Sequence, residues 1–333
     1  MSPGAGSVAR GARVGAMTPP PSLRVASLLP SATEICCALG LEGHLVGRSH
    51  ECDFPPDIER LPVLTRATVD SRATSAEIDR QVRRQLTEGL SLYEVEETTL
   101  RELAPDLVIT QDTCDLCAVS FSTVQESVAR LLGAETPIVS LSPTSVDDVL
   151  EDHLRVARAA GRAAEGERVA EGLRGDFDAL RCRTGNLDRP TALLLEWIDP
   201  PMPAGHWSPE LLELAGVEAV LGHRHQPTRA TTWEAVAEAD PDVILLAPCG
   251  FPLEQTRREL PTFFDLPIVA GLRAVREGRT YAIDGNAFFN RPGPRLVESA
   301  RIAARILHPE ATADLEVPGG AWIPVGEEGR NAG

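Results

Sequence analysis

Two stretches decide the fold: Leu103-Ala104-Pro105-Asp106-Leu107-Val108-Ile109 and Ala239-Asp240-Pro241-Asp242-Val243-Ile244-Leu245. Each reads as a helix end, a Pro-Asp break and a short apolar run. Proline cannot continue a helix, and a continuous apolar run suits a strand buried on both faces. A second pair lies upstream in the same order. Glu34-Ile35-Cys36-Cys37-Ala38-Leu39-Gly40-Leu41-Glu42 aligns with Glu210-Leu211-Leu212-Glu213-Leu214-Ala215-Gly216-Val217-Glu218. The two matches predict a pair of similar α/β lobes.

Outward from these, strand-like and helix-like runs alternate, as in parallel sheets with crossover helices. LRVASLL (23–29) is an apolar run ended by Pro30. Ser31-Ala32-Thr33-Glu34 has capping-box spacing and predicts a helix from Ser31 to Gly40, with Glu34 as its cap. Further helices are predicted over 75–88, within TLRELA and over 122–132. Strands are predicted at 45–48, 107–110 and 137–142. From Ser145 to Thr184 there is no proline and no strand-like run. This predicts a connector helix of roughly 50–60 Å, weakened by Gly161, Gly166, Gly172 and Gly175, at which it kinks or breaks in two. The second half restarts with TALLLEWI (191–198), followed by a helix near Ser208-Pro209, a helix over 231–239, strands at 243–248 and 281–285, and a closing helix over 294–307.

The expected organisation is therefore a disordered tail at 1–22, an N-terminal α/β lobe at 23–143, a connecting helix at 144–186, a C-terminal α/β lobe at 187–308 and a loose tail at 309–333. The fold class is α/β, with two Rossmann-like lobes joined by one long helix and a cleft between them.

Composition narrows function. The 333 residues carry 49 acids against 32 basic residues, all arginine, for a net charge of −17. That balance argues against a nucleic-acid partner and against docking on anionic membranes. No apolar run reaches the length of a membrane span. Residues 1–22 lack the apolar core of a signal peptide, and the seven cysteines are an odd number. The expectation is a cytoplasmic protein, with a periplasmic or extracellular one as the alternative if the gene starts upstream.

In open α/β sheets ligands sit at the carboxyl ends of the strands. The candidate site is read there: Pro30, Ser31, Thr33 and Glu34; Ser49, His50, Glu51, Cys52, Asp53 and Phe54; Gln111, Asp112, Cys114 and Cys117; Glu196 and Trp197; His206 and Trp207; Cys249 and Phe251; Asn286, Phe288, Phe289, Asn290 and Arg291. Aromatics are only 4% of the chain, yet Trp197, Trp207, Phe251, Phe288 and Phe289 fall on these loops, with Phe54 opposite. Stiff rings there would suit a broad planar ligand, and the bland alternative is that they anchor their own loops. Cys114 and Cys117 form a C-x-x-C that reads as a metal or redox pair, a reversible disulfide or packed thiols. One such pair is half of an ordinary zinc site. His50, His206, Cys52, Cys114, Cys117 and Cys249 are the candidate metal ligands, and no metal is asserted. The chain has no G-x-S-x-G, no P-loop and no G-x-G-x-x-G after a strand, so no catalytic constellation is read.

SLLPSATEI (27–35), SHECDFP (49–55), PDLVITQDTCDLCAVS (105–120), EWIDPP (196–201) with GHW (205–207), PDVILLAPCGF (241–251) and DGNAFFNRPGPRLVE (284–298) resemble the cobalamin-binding members of the vitamin B12 and iron-siderophore substrate-binding family of ABC importers. The resemblance spans roughly residues 23–308. It implies a non-catalytic protein with no required cofactor, holding a cobalamin-like corrinoid between the lobes, with an ABC permease as a second partner. A monomer is expected. Under it, Trp197, Trp207, Phe251 and Phe288 would cover the macrocycle, and Ser49, Gln111, Asn286 and Asn290 would bond its amides. Arg291 would meet a phosphate, and His50 or His206 would approach cobalt. An intracellular corrinoid carrier is another reading within the resemblance. Haem or an iron chelate is the alternative ligand, and a cytosolic thiol- or metal-dependent enzyme using Cys114, Cys117 and Cys52 is the alternative class.

Overall fold

The computed structural model describes residues 23–326 apart from Gly89 and residues 112–120. The expected N-terminal tail and the C-x-x-C therefore lie outside the described residues. The first lobe comprises β1 (Val25–Ser27), α1 (Pro30–Ala38), β2 (Leu45–Gly47), β3 (Thr65–Ala67), α2 (Ser75–Thr87), β4 (Tyr93–Val95), α3 (Glu97–Leu103), β5 (Leu107–Gln111), α4 (Phe121–Leu131) and β6 (Ile138–Leu141). Its parallel sheet runs β2-β1-β5-β6, and β3 pairs β4 separately as an antiparallel ribbon.

Two helices, α5 (Val146–Ala159) and α6 (Ala163–Thr184), then lead to the second lobe. That lobe comprises β7 (Thr191–Trp197), β8 (Met202–Pro203), α7 (Ser208–Leu214), β9 (Glu218–Ala219), α8 (Trp233–Ala239), β10 (Val243–Leu246), α9 (Leu253–Phe264), α10 (Pro267–Ala270), α11 (Arg273–Arg276), β11 (Thr280–Ile283), α12 (Leu296–Leu307) and β12 (Trp322–Pro324). Strands β9, β7, β10 and β11 are parallel neighbours in that order, with β8 and β12 antiparallel.

The internal repeat is visible in the backbone. Ala104 and Asp240 end α3 and α8 in the same left-handed conformation, φ 40° and 38°, both with ψ 61°. The Asp106 carboxylate accepts the Arg24 amide ahead of β1 at 2.9 Å, and Asp242 accepts the Thr191 amide opening β7 at 2.8 Å. Gly40 and Gly216 close α1 and α7 at φ 70° and 77°.

The connector breaks at Gly161. The Arg162 amide bonds the Ala157 carbonyl at 2.7 Å and the Gly161 amide bonds the Arg158 carbonyl at 3.2 Å, around a glycine at φ 69°. That is a Schellman stop, which glycine adopts without strain. The chain then folds back. Gly166 lies against Ala157 and His153, and Arg174 reaches Asp147 at 4.0 Å. In place of a rod of 50–60 Å, the lobes share an antiparallel helical hairpin. Helix α5 and its C-cap Ala160 bury Val156, Ala157 and Ala160 in the first lobe's core, and α5 buries Val149 and Leu150 with α6 in the second's.

Of the tail expected to be loose, residues 309–326 are ordered against the second lobe, and 327–333 lie outside the described residues. Strand β12 pairs with β11, and Thr312, Ala321 and Val325 are buried. Among the described residues no helix is long and apolar enough to cross a membrane.

Candidate functional site

The loop after β11 and the loop after β2 meet between the lobes. Gly285 permits this turn, since a Cβ there would run into the Pro248 carbonyl oxygen and lie 2.6 Å from the Ala247 carbonyl carbon. Arg291 crosses the seam almost fully buried. Its guanidinium donates to Asp53 at 2.5 and 3.2 Å, to Glu34 at 3.3 Å, to the Glu51 carbonyl at 3.2 Å and to Asn286 Oδ1 at 2.7 Å. Asn286 donates in turn to Asp53 at 2.6 Å. Burial works against the Asp53 carboxylate, but the hydrogen bonds and charge of Arg291 outweigh it and hold its carboxyl below the usual range. Arg295 grips Glu34 at 2.5 and 2.9 Å and lies 4.2 Å above the Phe54 ring. A second bond set joins α9 to the start of α2. Glu259 accepts from the Ser75 amide and hydroxyl at 3.2 and 2.5 Å, and Gln255 donates to the Ser71 carbonyl at 2.9 Å.

Beside this seam, the loop after β2 presents His50 and Glu51. Thr65 holds His50 from beneath, accepting its amide at 3.1 Å and meeting Nδ1 at 2.8 Å. Burial and the nearby Arg48 charge lower the His50 pKa, so its ring is neutral at pH 7. Its Nε2 lies 3.9 Å from Glu51 Oε1, which also receives the Tyr93 hydroxyl at 3.4 Å.

The expected aromatic wall is absent. Trp207, Phe251, Phe288 and Phe289 are buried, and all but Phe251 sit in the core formed with α6, α7 and α12. Trp207 Nε1 donates to the Phe289 carbonyl at 2.7 Å. The loops fold back on their own lobe, because covering rings of this size gains more than leaving them at an open seam. Trp197 is half-buried, edge-on to Phe251 at 5.3 Å, and Phe54 is exposed beneath Arg295.

Other candidates divide similarly. Asn290 donates to the Ala247 and Gly285 carbonyls and so braces its own loop rather than facing a ligand. Arg291, expected to meet a phosphate, bonds the Asp53 and Glu34 carboxylates across the seam. Glu34 caps no helix: α1 begins at Pro30 without a side-chain cap. Thr33 bonds Ser27 at 2.8 Å and Cys52 Sγ at 3.0 Å, and Ser49 accepts the Glu51 amide at 3.2 Å. Pro30 and Ser31 open α1, with the Ser31 hydroxyl buried and unpartnered. Gln111 ends β5 half-buried, and Asp112 lies outside the described residues. His206, at φ 51°, stacks on Trp207 at 5.6 Å, and burial lowers its pKa. Burial pushes the Cys52 thiol up to about 11 against its bond to Thr33, which makes it a poor thiolate ligand. Cys249 is half-buried, and Cys114 and Cys117 are outside the described residues. Among the described residues no three of His, Cys, Asp and Glu gather in a way that would hold a metal.

Sequence reading missed Arg295, Gln255, Glu259, Ser71 and Ser75. Their partners lie 182 to 261 positions away, and no local spacing announces them.

Comparison with known proteins gives one family. The family model described as periplasmic binding protein matches residues 25–287. A vitamin B12-binding protein of Yersinia pestis (strain Pestoides F) is 23% identical over 282 residues, 84% of each chain. A periplasmic heme-binding protein of Roseiflexus sp. RS-1 superposes with a TM-score of 0.64 at 22% identity, covering 87% of this chain and 99% of that one. A periplasmic vitamin B12-binding protein of Vibrio cholerae gives 0.60 at 20% identity, covering 89% and 99%. The family match overturns the cytoplasmic expectation: it points to the periplasm, where proteins of this kind act.

Proposed function

The chain belongs to the periplasmic binding protein family, and on that premise we propose that it is a solute-binding protein that carries a cobalamin-like corrinoid to an ABC permease. The family is non-catalytic, so the thiol- or metal-dependent enzyme falls away. Substrates of this branch include vitamin B12 and haem, bound as cargo rather than as cofactors.

One observation favours the corrinoid over haem. The surfaces that meet at the seam are mostly polar: Asp53, Asn286, Glu51 and Arg291 face one another there and Gln255 bonds Ser71 nearby, while Trp207, Phe288 and Phe289 are turned into the second lobe's core and Phe54 alone of the loop rings is exposed, under Arg295. A porphyrin needs apolar walls for its faces. A corrinoid carries a fringe of amides that such a seam can bond. A ligand that enters parts the lobes and exchanges bonds such as Arg291–Asp53 for bonds of its own. The relation to a vitamin B12-binding protein over 84% of each chain supports the same choice. Haem remains the competing reading, since structural relatives include heme-binding proteins.

Titration with cyanocobalamin and, separately, haemin tests this, read by tryptophan emission and visible absorption. The expected result is one cyanocobalamin per chain at micromolar affinity or tighter, about 8 kcal/mol, with haemin weaker. Saturable haemin binding without any response to cyanocobalamin would reverse the assignment.

A further inference from the structure

Thr65 is 3% exposed, and its buried hydroxyl needs an acceptor for its proton. Its two partners are both in His50: the backbone amide, which can only donate, and Nδ1, which can do either. The amide already uses one lone pair of the oxygen. The hydroxyl proton therefore goes to Nδ1, and the ring proton of a neutral His50 sits on Nε2. In this tautomer His50 Nε2 is a donor rather than a lone-pair ligand. Its side chain is 26% exposed, and Glu51 Oε1 at 3.9 Å is too far to absorb the donor.

A donor thus stands beside an acceptor on an exposed lip, next to the point where Arg291 of the second lobe bonds the Glu51 carbonyl. A planar primary carboxamide is complementary to that pair. Its oxygen accepts from His50 Nε2–H while its NH2 donates to Glu51 Oε1. A carboxylate in the same place has no proton to donate to Glu51 Oε1. We propose that His50 and Glu51, set by Thr65, form a carboxamide-reading subsite that distinguishes an amide-bearing corrinoid from its acid derivatives and from the propionates of a porphyrin. This rests on the corrinoid reading above and names the chemistry by which the site selects it.

Two measurements test it. In ligand-free protein, nitrogen-15 NMR of the histidines at pH 7 should show His50 protonated at Nε2 and bare at Nδ1. In Thr65→Val, which removes the donor to Nδ1, that preference should disappear. Binding is then compared between cyanocobalamin and its derivatives with one peripheral amide hydrolysed to an acid. Wild type should reject at least one of these acids by about tenfold or more. Glu51→Gln, which can donate to a carboxylate, should cut that ratio to below about threefold. A ring proton on Nδ1 in wild type, or equal affinity for the amide and every acid, overturns the subsite. Failure of any corrinoid to bind would instead sink the functional reading itself, so the two failures are told apart.

Discussion

Glu34 and Glu210 occupy equivalent places in the two lobes, each six residues before the left-handed glycine that closes its helix, yet they bond in different directions. Glu210 accepts the Val146 amide at 3.0 Å and so anchors the start of α5 to the second lobe. Glu34 reaches across the seam to Arg291 and Arg295. One repeat position therefore fastens the connector, and the other fastens the lobes to each other.

Removing Glu34 leaves two guanidiniums, 7% and 11% exposed, short of a partner. In a rigid core that loss costs about 3–5 kcal/mol. Here the lobes can part and rehydrate both arginines. Glu34→Ala should therefore open the molecule, raising the radius of gyration in X-ray solution scattering, and lower unfolding stability by less than that range. An unchanged radius together with a full loss of stability would show that the seam does not open.

The two Pro-Asp turns make a graded prediction. Asp106 accepts one amide, from Arg24. Asp242 accepts the Thr191 amide and hydroxyl and also pairs with Arg273 at 2.5 Å. Each substitution by alanine leaves a strand-edge amide without its partner. Asp106→Ala should cost about 1–2 kcal/mol and Asp242→Ala about 2–3 kcal/mol in urea unfolding. The reverse order would show that the two turns are not working alike.

Gly285 has backbone atoms of Ala247 and Pro248 where a side chain would go. Those are backbone atoms just after β10, tied to β7 through the Ala247 amide, and cannot swing aside. Gly285→Ala should shift the 286–295 loop, cost about 1–3 kcal/mol, and slacken Asn286–Asp53 and Arg291–Asp53 with it. Faster amide exchange in residues 49–54, on the opposite lobe, would report that slackening. Unchanged exchange there would separate the loop from the seam.

Which features were legible follows from the range of the forces involved. The repeat could be read because a helix end, a Pro-Asp break and an apolar strand run are local and recur at 103–109 and 239–245. The break at Gly161 was signalled by its glycine, but the return of α6 onto α5 depends on Gly166 meeting Ala157, a contact that no pattern of spacing shows. Trp207, Phe288 and Phe289, expected to face the cleft, pack into the second lobe instead, because Trp207 finds its acceptor at Phe289 and these rings join the core with α12, while Trp197 ends strand β7. Glu34 was visible as a helix-start acid, and its role depends on arginines more than 250 positions later.

Neighbouring residues in α5 give opposing pH dependences. Asp152 is buried, with Arg155 on one oxygen and no partner on the other, and burial pushes its pKa up to about 6 despite that arginine. The folded state therefore holds its proton more tightly than the unfolded chain does, and the stability this gives is present below about pH 4 and lost as pH rises through 6. His153, buried with Nδ1 on the Val149 carbonyl at 2.7 Å, is pushed down to about 4. Its contribution is present above about pH 6.5 and lost as pH falls through 4. The two slopes overlap and partly cancel in wild type. Asp152→Asn mimics the protonated acid at every pH and leaves the histidine slope alone. It should gain about 1–3 kcal/mol at pH 7, with the gain fading to nothing near pH 4. Urea unfolding of both proteins across that range measures the difference directly, and a gain that does not vary with pH would place the Asp152 carboxylate in water rather than in the helix hairpin.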